Sequence, residues 1–167
     1  MNKIITLIVF LLTFITSYGQ NNDYFGSALI PKNEYLIRPA NTNLYWNVSK
    51  QNSADIDLIK NNNTENSKIM FIPAGKGYYY IKFLKNGHYL TIKGAIKKGA
   101  LLHNSKPEQN ETQKFKVISK DNGQFKFIAI NKLSIEFSGN NFKLNSNTNN
   151  KNQIFEILEA DSKKKFN

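Results

Sequence analysis

The sequence contains no cysteine. No disulfide can therefore staple the fold, no lipid can be attached through a thiol, and thiolate chemistry is excluded. Only two histidines are present, His88 and His103, and they stand in no spacing typical of a catalytic triad or a metal site. The sequence thus predicts no cofactor and no metal ion, and we expect a binding module rather than an enzyme.

Acidic residues are also scarce, because 12 Asp and Glu stand against 23 Lys and Arg, which gives a net charge of +11. The lysines are spread along the chain, and the one dense cluster, Lys163-Lys164-Lys165, is expected to belong to a solvated basic tail at 161–167. Nucleic-acid binding would need clustered Lys and Arg interleaved with aromatic residues on one face, so no nucleic-acid partner is expected. Attraction to an anionic polysaccharide remains open.

One uncharged and mostly apolar stretch lies near the beginning of the sequence, at residues 4–18. It is short for a membrane span and typical of a secretory signal peptide. We place the signal peptide at 1–19 and a leader at 20–32, with a retained membrane anchor as the alternative. Cleavage after Gly19 removes Lys3 and leaves 148 residues with a net charge of +10, enough for one domain. The expected location is secreted, periplasmic or extracellular, without stable membrane insertion.

Short strand-like segments fill the rest of the chain, broken by Asn, Gly or Lys within about ten residues, and no stretch keeps a helical period. Four apolar landmarks of a first unit recur 44 residues later in a second: Ile37 and Ile81, Val48 and Ile92, Leu58 and Leu102, and Phe71 and Phe115. A looser third unit carries Phe127, Phe137, Leu144 and Phe155. We place the three units at about 33–75, 76–123 and 124–160.

Three units of four strands give twelve strands, and three propeller blades are too few to close a ring. The pattern therefore predicts an all-β domain, a β-trefoil over 33–160, in which three hairpin pairs form a short barrel and three cap one end. The middle apolar residue of every strand must face the shared axis, because a slip by one residue would turn it to water. Ile37, Val48, Leu58 and Phe71, with their counterparts, are expected to form the core.

Short motifs near the end of each unit carry a resemblance to a known family. Gln113-Lys114-Phe115 and Gln153-Ile154-Phe155 stand where ricin B-type lectins have their Gln-any-Trp motif, with Phe replacing Trp. The first unit has Ile69-Met70-Phe71 in that place. The glycine turn and tyrosine-rich strand at 75–81 are similar to the opening of a repeat in that family. The chain therefore resembles ricin B-type lectins, which implies a lectin-like module that binds carbohydrate.

The resemblance also implies the residue types of a sugar site. An acid accepts hydrogen bonds from sugar hydroxyls, an aromatic ring stacks on the apolar sugar face, and an Asn before the motif Gln adds polar contacts. Carried over by position, the acid falls at Asn47, Thr91 and Glu136, the ring at Ile59, His103 and Asn145, and the Asn at Lys68, Thr112 and Asn152. No unit is complete, and the third comes nearest. The candidate ligand-binding residues are Glu136, Asn152, Gln153, Asn145, Gln113, His103 and Asn47.

Four of these candidates also have an interpretation without a ligand. The amides of Gln113 and Gln153 would then tie loops to backbone groups within the fold. Glu136 would be a solvated surface acid, and His103 a surface imidazole. Phe142 is a second candidate for the missing ring, although its place in the strand favours the core. The predicted function is a carbohydrate- or glycoconjugate-binding module with degenerate sites, and the alternative is a β-trefoil that binds a protein partner without a sugar pocket.

Overall fold

The computed structural model of the protein describes residues 33–48, 56–60, 64–139 and 141–160, and twelve short β-strands run through them. They are β1 (Tyr35–Pro39), β2 (Tyr45–Asn47), β3 (Asp57–Ile59), β4 (Ile69–Pro73), β5 (Tyr78–Phe83), β6 (Tyr89–Ile92), β7 (Leu102–Ser105), β8 (Phe115–Ser119), β9 (Gln124–Ala129), β10 (Ser134–Ser138), β11 (Asn141–Asn145) and β12 (Phe155–Glu159). Single turns of 3-10 helix lie at Glu111–Gln113, Asp121–Gly123 and Lys151–Gln153. The predicted all-β domain is confirmed.

Two features are absent from the described ranges, a membrane-spanning helix and a cluster of metal-binding side chains. Within them, no helix has the length and apolar character needed to cross a bilayer. Nor do three His, Asp or Glu side chains in these ranges come together in a way that would hold a metal ion. The expected signal peptide, the leader and the basic tail lie outside the described residues.

Six of the strands close into a barrel. β1 pairs with β4, β4 with β5, β5 with β8, β8 with β9 and β9 with β12, and β12 returns to β1, all antiparallel. The other six strands form three hairpins, β2–β3, β6–β7 and β10–β11, one in each unit. Ring closure leaves the barrel strands without a free edge. A six-stranded barrel with one hairpin per unit is the architecture that the repeats predict.

Pseudo-threefold symmetry is visible in the pairing register. The middle residues of β1, β5 and β9 each face the last strand of the preceding unit, with Ile37 opposite Ile157, Ile81 opposite Phe71, and Phe127 opposite Val117. Ile37, Ile81 and Phe127 are all fully buried. Their predicted equivalence is confirmed.

For two other apolar landmarks, the structure differs by two residues from the correspondence between units that the sequence predicts. Opposite Tyr35, Tyr79 and Phe125 lie Ile69, Phe115 and Phe155. Ile69 rather than Phe71 is therefore the equivalent of Phe115 and Phe155. In the hairpins, Leu58, Asn104 and Leu144 lie opposite Trp46, Leu90 and Ile135. The alignment of Leu102 with Leu58 is thus also wrong, since Asn104 takes that place.

The cause of both shifts is the length of the hairpin tips. Every unit has the same distance of 12 residues from its third strand to the first residue of its fourth strand. These spans are Asp57 to Ile69, His103 to Phe115, and Lys143 to Phe155. Across the hairpin tip the spans differ, at 10, 12 and 7 residues: Asn47 to Asp57, Thr91 to His103, and Glu136 to Lys143. The second tip is two residues longer than the first. Because side chains alternate with a period of two, such a shift leaves the apolar pattern in step.

Aromatic rings fill much of the core. The ring centroid of Trp46 lies 5.4 Å from that of Phe127, 5.1 Å from that of Phe142 and 5.6 Å from that of Phe155. Edge-on and tilted contacts of this kind add about 0.5–1.5 kcal/mol per pair beyond the burial of area. Phe142 therefore belongs to the core and is not available as a sugar-stacking ring. Leu58, also predicted as core, is only half-buried.

Candidate functional site

One polar pair recurs in all three units. Ser67 Oγ donates to Asn47 Oδ1 (3.3 Å), Gln113 Nε2 to Thr91 Oγ1 (3.0 Å), and Gln153 Nε2 to Glu136 Oε2 (3.0 Å). All six side chains are buried, so each needs its partner. The three predicted acid positions are thus equivalent. In the first unit the place of the motif glutamine is held by Ser67, two residues before the Ile69 to which the sequence alignment assigned it.

Gln113 ties down the loop that precedes it. Its Oε1 accepts from the backbone N–H groups of Glu108 and Gln109, both at 2.9 Å. Its Nε2 donates to the carbonyl oxygen of Lys106 at 2.9 Å and to the hydroxyl of Ser105 at 3.2 Å. The side chain has no exposed surface, which places its amide out of reach of a ligand. The structure therefore agrees with the interpretation in which the Gln113 amide ties a loop to the rest of the fold.

Gln153 holds the corresponding loop of the third unit in the same way. Its Oε1 accepts from the backbone N–H of Thr148 at 3.0 Å, and its Nε2 donates to the carbonyl oxygen of Ser146 at 2.8 Å. The local sequence explains why the turn repeats. Asn110 and Asn150 each cap a 3-10 turn by accepting from the backbone N–H two residues on, at 3.0 Å, and each turn ends at the motif glutamine.

Glu136 is a carboxylate with 6% exposure, enclosed by amide side chains. Asn145 Nδ2 donates to both of its oxygens, at 2.9 Å to Oε1 and 3.0 Å to Oε2, and Asn150 Nδ2 lies 3.4 Å from Oε2. With Gln153, three amide donors converge on Oε2. Among the described residues, Oε1 has the Asn145 bond and Lys143 Nζ at 3.9 Å. Since a carboxylate oxygen offers about two acceptor sites, Oε1 keeps capacity that Oε2 does not.

A lysine and, one strand further, an exposed leucine share the face of the sheet on which Glu136 lies. Lys143 lies directly opposite Glu136 in the β10–β11 hairpin, and Leu101 of the second unit forms a β-bridge with Lys143. Residues paired across antiparallel strands put their side chains on one face. Leu101 is 46% exposed, more than any other large apolar side chain in the described ranges. The sequence gives no sign of this neighbourhood, because the bridge joins two different units.

The hairpin register also moves the predicted ring position of the second unit. The counterpart of Asn145 is Ser105, because these two residues occupy the same pairing position in their hairpins. His103 instead lies opposite Thr91 and is half-buried. The prediction that His103 takes the ring position is therefore wrong. The error is two residues, the same as for the neighbouring landmark Leu102.

Asn152 is not brought together with Glu136. It is exposed and lines a cavity of about 250 Å³ whose other walls include Phe137, Lys151 and residues 39–42, but not Glu136. Neighbours along a strand point to opposite faces, so the side chains of Glu136 and Phe137 leave β10 on opposite sides. Of the predicted third-unit residues, Asn145 and Gln153 contact Glu136, and Asn152 faces a different surface.

Each of the two loops that Gln113 and Gln153 tie down also accepts a hydrogen bond from a side chain of a barrel strand. The hydroxyl of Tyr80 donates to the carbonyl oxygen of Gln109 at 2.9 Å. At the equivalent position of β9, the ammonium of Lys126 donates to the carbonyl oxygen of Thr148 at 2.5 Å and to Asn147 Oδ1. Sequence reasoning missed both residues, since an interior tyrosine and an interior lysine look like ordinary members of an alternating strand.

Solved structures share this architecture. A designed threefold-symmetric protein, ThreeFoil, matches with a TM-score of 0.69 at 15% identity, over 75% of this chain and 98% of that protein. A ricin B-like lectin from Macrolepiota procera, solved in complex with lactose, matches with a TM-score of 0.67 at 15% identity, over 78% of this chain and 97% of the lectin. The chain is a β-trefoil.

The same β-trefoil is found within a larger enzyme. An exo-β-1,3-galactanase from Clostridium thermocellum matches with a TM-score of 0.71 at 18% identity, over 78% of this chain but only 31% of the enzyme. No family model and no curated protein matches the sequence. The similarity to these solved structures confirms the predicted β-trefoil fold. A β-trefoil serves many functions, so the function must be argued from the site.

Proposed function

We propose that this β-trefoil is a carbohydrate-binding, lectin-like module without catalytic activity of its own, and that its sugar site lies on the third unit at Glu136. The observation that carries the proposal is the unequal use of the two carboxylate oxygens. Oε2 is filled by three amide donors, whereas Oε1 faces Lys143 with acceptor capacity to spare. The equivalent positions hold Asn47 and Thr91, which carry no charge, so the proposal places one site in the third unit rather than three.

The groups around Oε1 suit a sugar. Oε1 accepts from one hydroxyl, and the Lys143 ammonium donates to the oxygen of a neighbouring hydroxyl. The exposed side chain of Leu101 offers apolar area to the C–H face of the ring. Asn145 holds the carboxylate in place and is a positioning residue. Because no aromatic ring stacks on the sugar here, we expect affinity in the millimolar range, about −4 kcal/mol.

NMR titration of the 15N-labelled protein with simple hexoses and lactose tests the proposal. Shifts are expected at the side-chain amide of Asn145 and at the backbone amides of Leu101 and Lys143. Glu136→Ala removes a charged acceptor, whose hydrogen bond contributes about 1.5–3 kcal/mol, so binding should weaken roughly tenfold to hundredfold. Leu101→Ser should weaken binding while leaving the amide cage of Glu136 intact.

Thr91→Ala is the matched control. Thr91 holds the equivalent position in the second unit and also accepts from its motif glutamine. Both substitutions take one polar partner from a buried pair, but only Glu136→Ala removes the proposed sugar acceptor. Sugar-induced shifts that are equal in Glu136→Ala and in the wild type would contradict the proposal, provided that both variants keep the dispersed spectrum of the fold.

Protein binding is the second candidate function. The nearly complete cage of amide donors around Glu136 favours it. Asn145, Asn150 and Gln153 already satisfy most of the hydrogen-bond acceptor capacity of the Glu136 carboxylate. A carboxylate whose only task is to lock a loop would look the same. The partner would then meet the basic, tyrosine-rich surface, where Lys116 Nζ lies 5.2 Å from the ring centroid of Tyr78. A broad glycan panel that leaves the Asn145 amide unshifted would favour this function.

The proposal includes a location outside the cytoplasm, whether secreted, periplasmic or extracellular. The uncharged stretch at 4–18 supports it, because a segment of that length and position is typical of a secretory signal. The ligand is then a carbohydrate or glycoconjugate that the protein meets after export.

A further inference from the structure

A second cavity, of about 300 Å³, borders the loop that Gln153 ties down. Two isoleucines, Ile118 and Ile128, form its apolar walls, and two lysines, Lys120 and Lys126, together with loop residues 147–149, form its polar ones. Glu136 does not line it. This cavity is therefore distinct from the sugar site proposed above.

Lys126 brings a buried cation to this cavity. Its side chain is 4% exposed, and its ammonium donates to two neutral oxygens, the carbonyl of Thr148 and the side chain of Asn147. Burial lowers the pKa of Lys126, and repulsion by Lys120 lowers it further. None of the ion pairs between described side chains involves either lysine. A buried ammonium without a negative partner is costly, and an anion in the cavity would offset that cost.

We propose that this cavity binds one acidic sugar unit, with its carboxylate or sulfate group placed between the ammonium groups of Lys126 and Lys120. An ammonium has three protons, and Lys126 uses two of them on Thr148 and Asn147, which leaves the third for the anion. The inference concerns a second site and does not depend on the Glu136 site, because Glu136 does not line this cavity. An acidic sugar is also not expected at the Glu136 site, since the carboxylate of Glu136 would repel it.

The shape and lining of the cavity favour a sugar over a bare inorganic anion. A volume of about 300 Å³ is at the lower end of the range for small-molecule sites, which suits a single ring. An inorganic anion would leave the walls formed by Ile118 and Ile128 without a partner, whereas the C–H face of a pyranose covers them. Asn149 is exposed and lines the cavity, and we expect its amide to meet the sugar hydroxyls. The net charge of +11 adds a long-range attraction to polyanions.

Four probes in NMR titrations of the 15N-labelled protein separate the chemistries. They are glucuronate, its neutral counterpart glucose, galactose 6-sulfate and inorganic sulfate. We expect shifts at the backbone amides of Asn147, Thr148 and Asn149 with at least one of the two acidic sugars, and none with glucose. A response to glucuronate alone assigns the site to carboxylate sugars, and a response to galactose 6-sulfate alone assigns it to sulfated sugars. Equal binding of glucose, or binding of inorganic sulfate as tight as that of either acidic sugar, would overturn the proposal.

Substitutions in the cavity provide the second test. Lys120→Gln should weaken binding of the acidic sugar severalfold, and Lys126→Met by tenfold or more, because each removes a charged donor. Asn149→Asp puts a negative charge at the cavity and should abolish binding, which tests the proposal even where Lys126→Met loosens the loop. Lys98→Gln is the matched control, since it removes the same charge from an exposed lysine that does not line the cavity. If Lys98→Gln weakens binding as much as Lys120→Gln, the attraction is diffuse and no such site exists.

Discussion

Replacing Gln113 by methionine tests whether the motif glutamine is a structural tie. Methionine keeps nearly the same length and volume, so it fills the space without supplying a donor or a comparable acceptor. Five hydrogen-bond contacts end at the Gln113 amide, two at Oε1 and three at Nε2, whose two N–H groups share three acceptors. The substitution removes all of them and leaves the backbone of the loop before Gln113 without its anchor.

The expected loss of stability follows from those bonds. Because the NH2 group has two protons for its three acceptors, the contacts amount to about four full bonds of about 0.5–1.5 kcal/mol net each, which sets an upper range of about 2–6 kcal/mol. Water recovers part of this, because the loop residues are exposed, and the Thr91 hydroxyl keeps its bonds to the Tyr89 carbonyl and to Ser105. We therefore expect Gln113→Met to lower the free energy of unfolding by about 2–4 kcal/mol, out of the 5–15 kcal/mol usual for a domain of about this size.

Urea unfolding measures the loss, and amide hydrogen exchange locates it. The N–H groups of Glu108 and Gln109 should lose their protection, because both donate to Gln113 Oε1. Glu111→Gln is the control, since Glu111 is exposed in the same 3-10 turn and should change stability by no more than about 0.5 kcal/mol. A loss below about 1 kcal/mol, with the exchange of Glu108 and Gln109 unchanged, would refute the interpretation of Gln113 as the tie of this loop.

Two further predictions concern the core and export. Phe155 is fully buried against Trp46, Phe127 and Phe142, so Phe155→Ala should cost about 3–5 kcal/mol in thermal or urea unfolding, and a cost under about 1 kcal/mol would mean that the ring is not in the core. If residues 1–19 are a signal peptide, intact-mass analysis of protein recovered outside the cytoplasm should give a chain that starts near Gln20, and exported protein that retains Met1 would speak against cleavage.

The threefold arrangement was predictable because each unit repeats its apolar positions at nearly constant spacing. Where the spacing changes, the sequence misleads in a specific way. The second hairpin tip is longer than the first by two residues, and two is the period of a strand. Leu102 and Phe71 therefore look as suitable as Asn104 and Ile69, the residues that take these places. Only the cross-strand pairing separates these alternatives, because it fixes which residues face each other.

The residues of the candidate site that repeat were predictable from the sequence, whereas contacts between segments distant in the chain were not. Gln153 belongs to the motif that carries the resemblance, Glu136 takes the acid position that the resemblance implies, and the structure joins them by a hydrogen bond. Leu101 comes beside Lys143 through a bridge between two units, and Lys126 reaches Thr148 from another strand. Neither contact has a local pattern. Such neighbours arise from the tertiary packing of segments that are distant in the sequence, which a single segment does not describe.

The three equivalent polar pairs supply the strongest physical argument for a ligand at the third unit. Asn47 with Ser67 and Thr91 with Gln113 show that an uncharged pair is sufficient to hold this position of the fold. Glu136 introduces a charge there, and a buried carboxylate is stable only when several donors compensate its desolvation. The third unit supplies those donors and still leaves Oε1 with room for one more. A loop tie needs no charge at all, whereas recognition of a hydroxyl gains strength from one. The charge of Glu136 is therefore the feature of the third unit that supports the proposed sugar site, and the titrations described above decide between it and a loop lock.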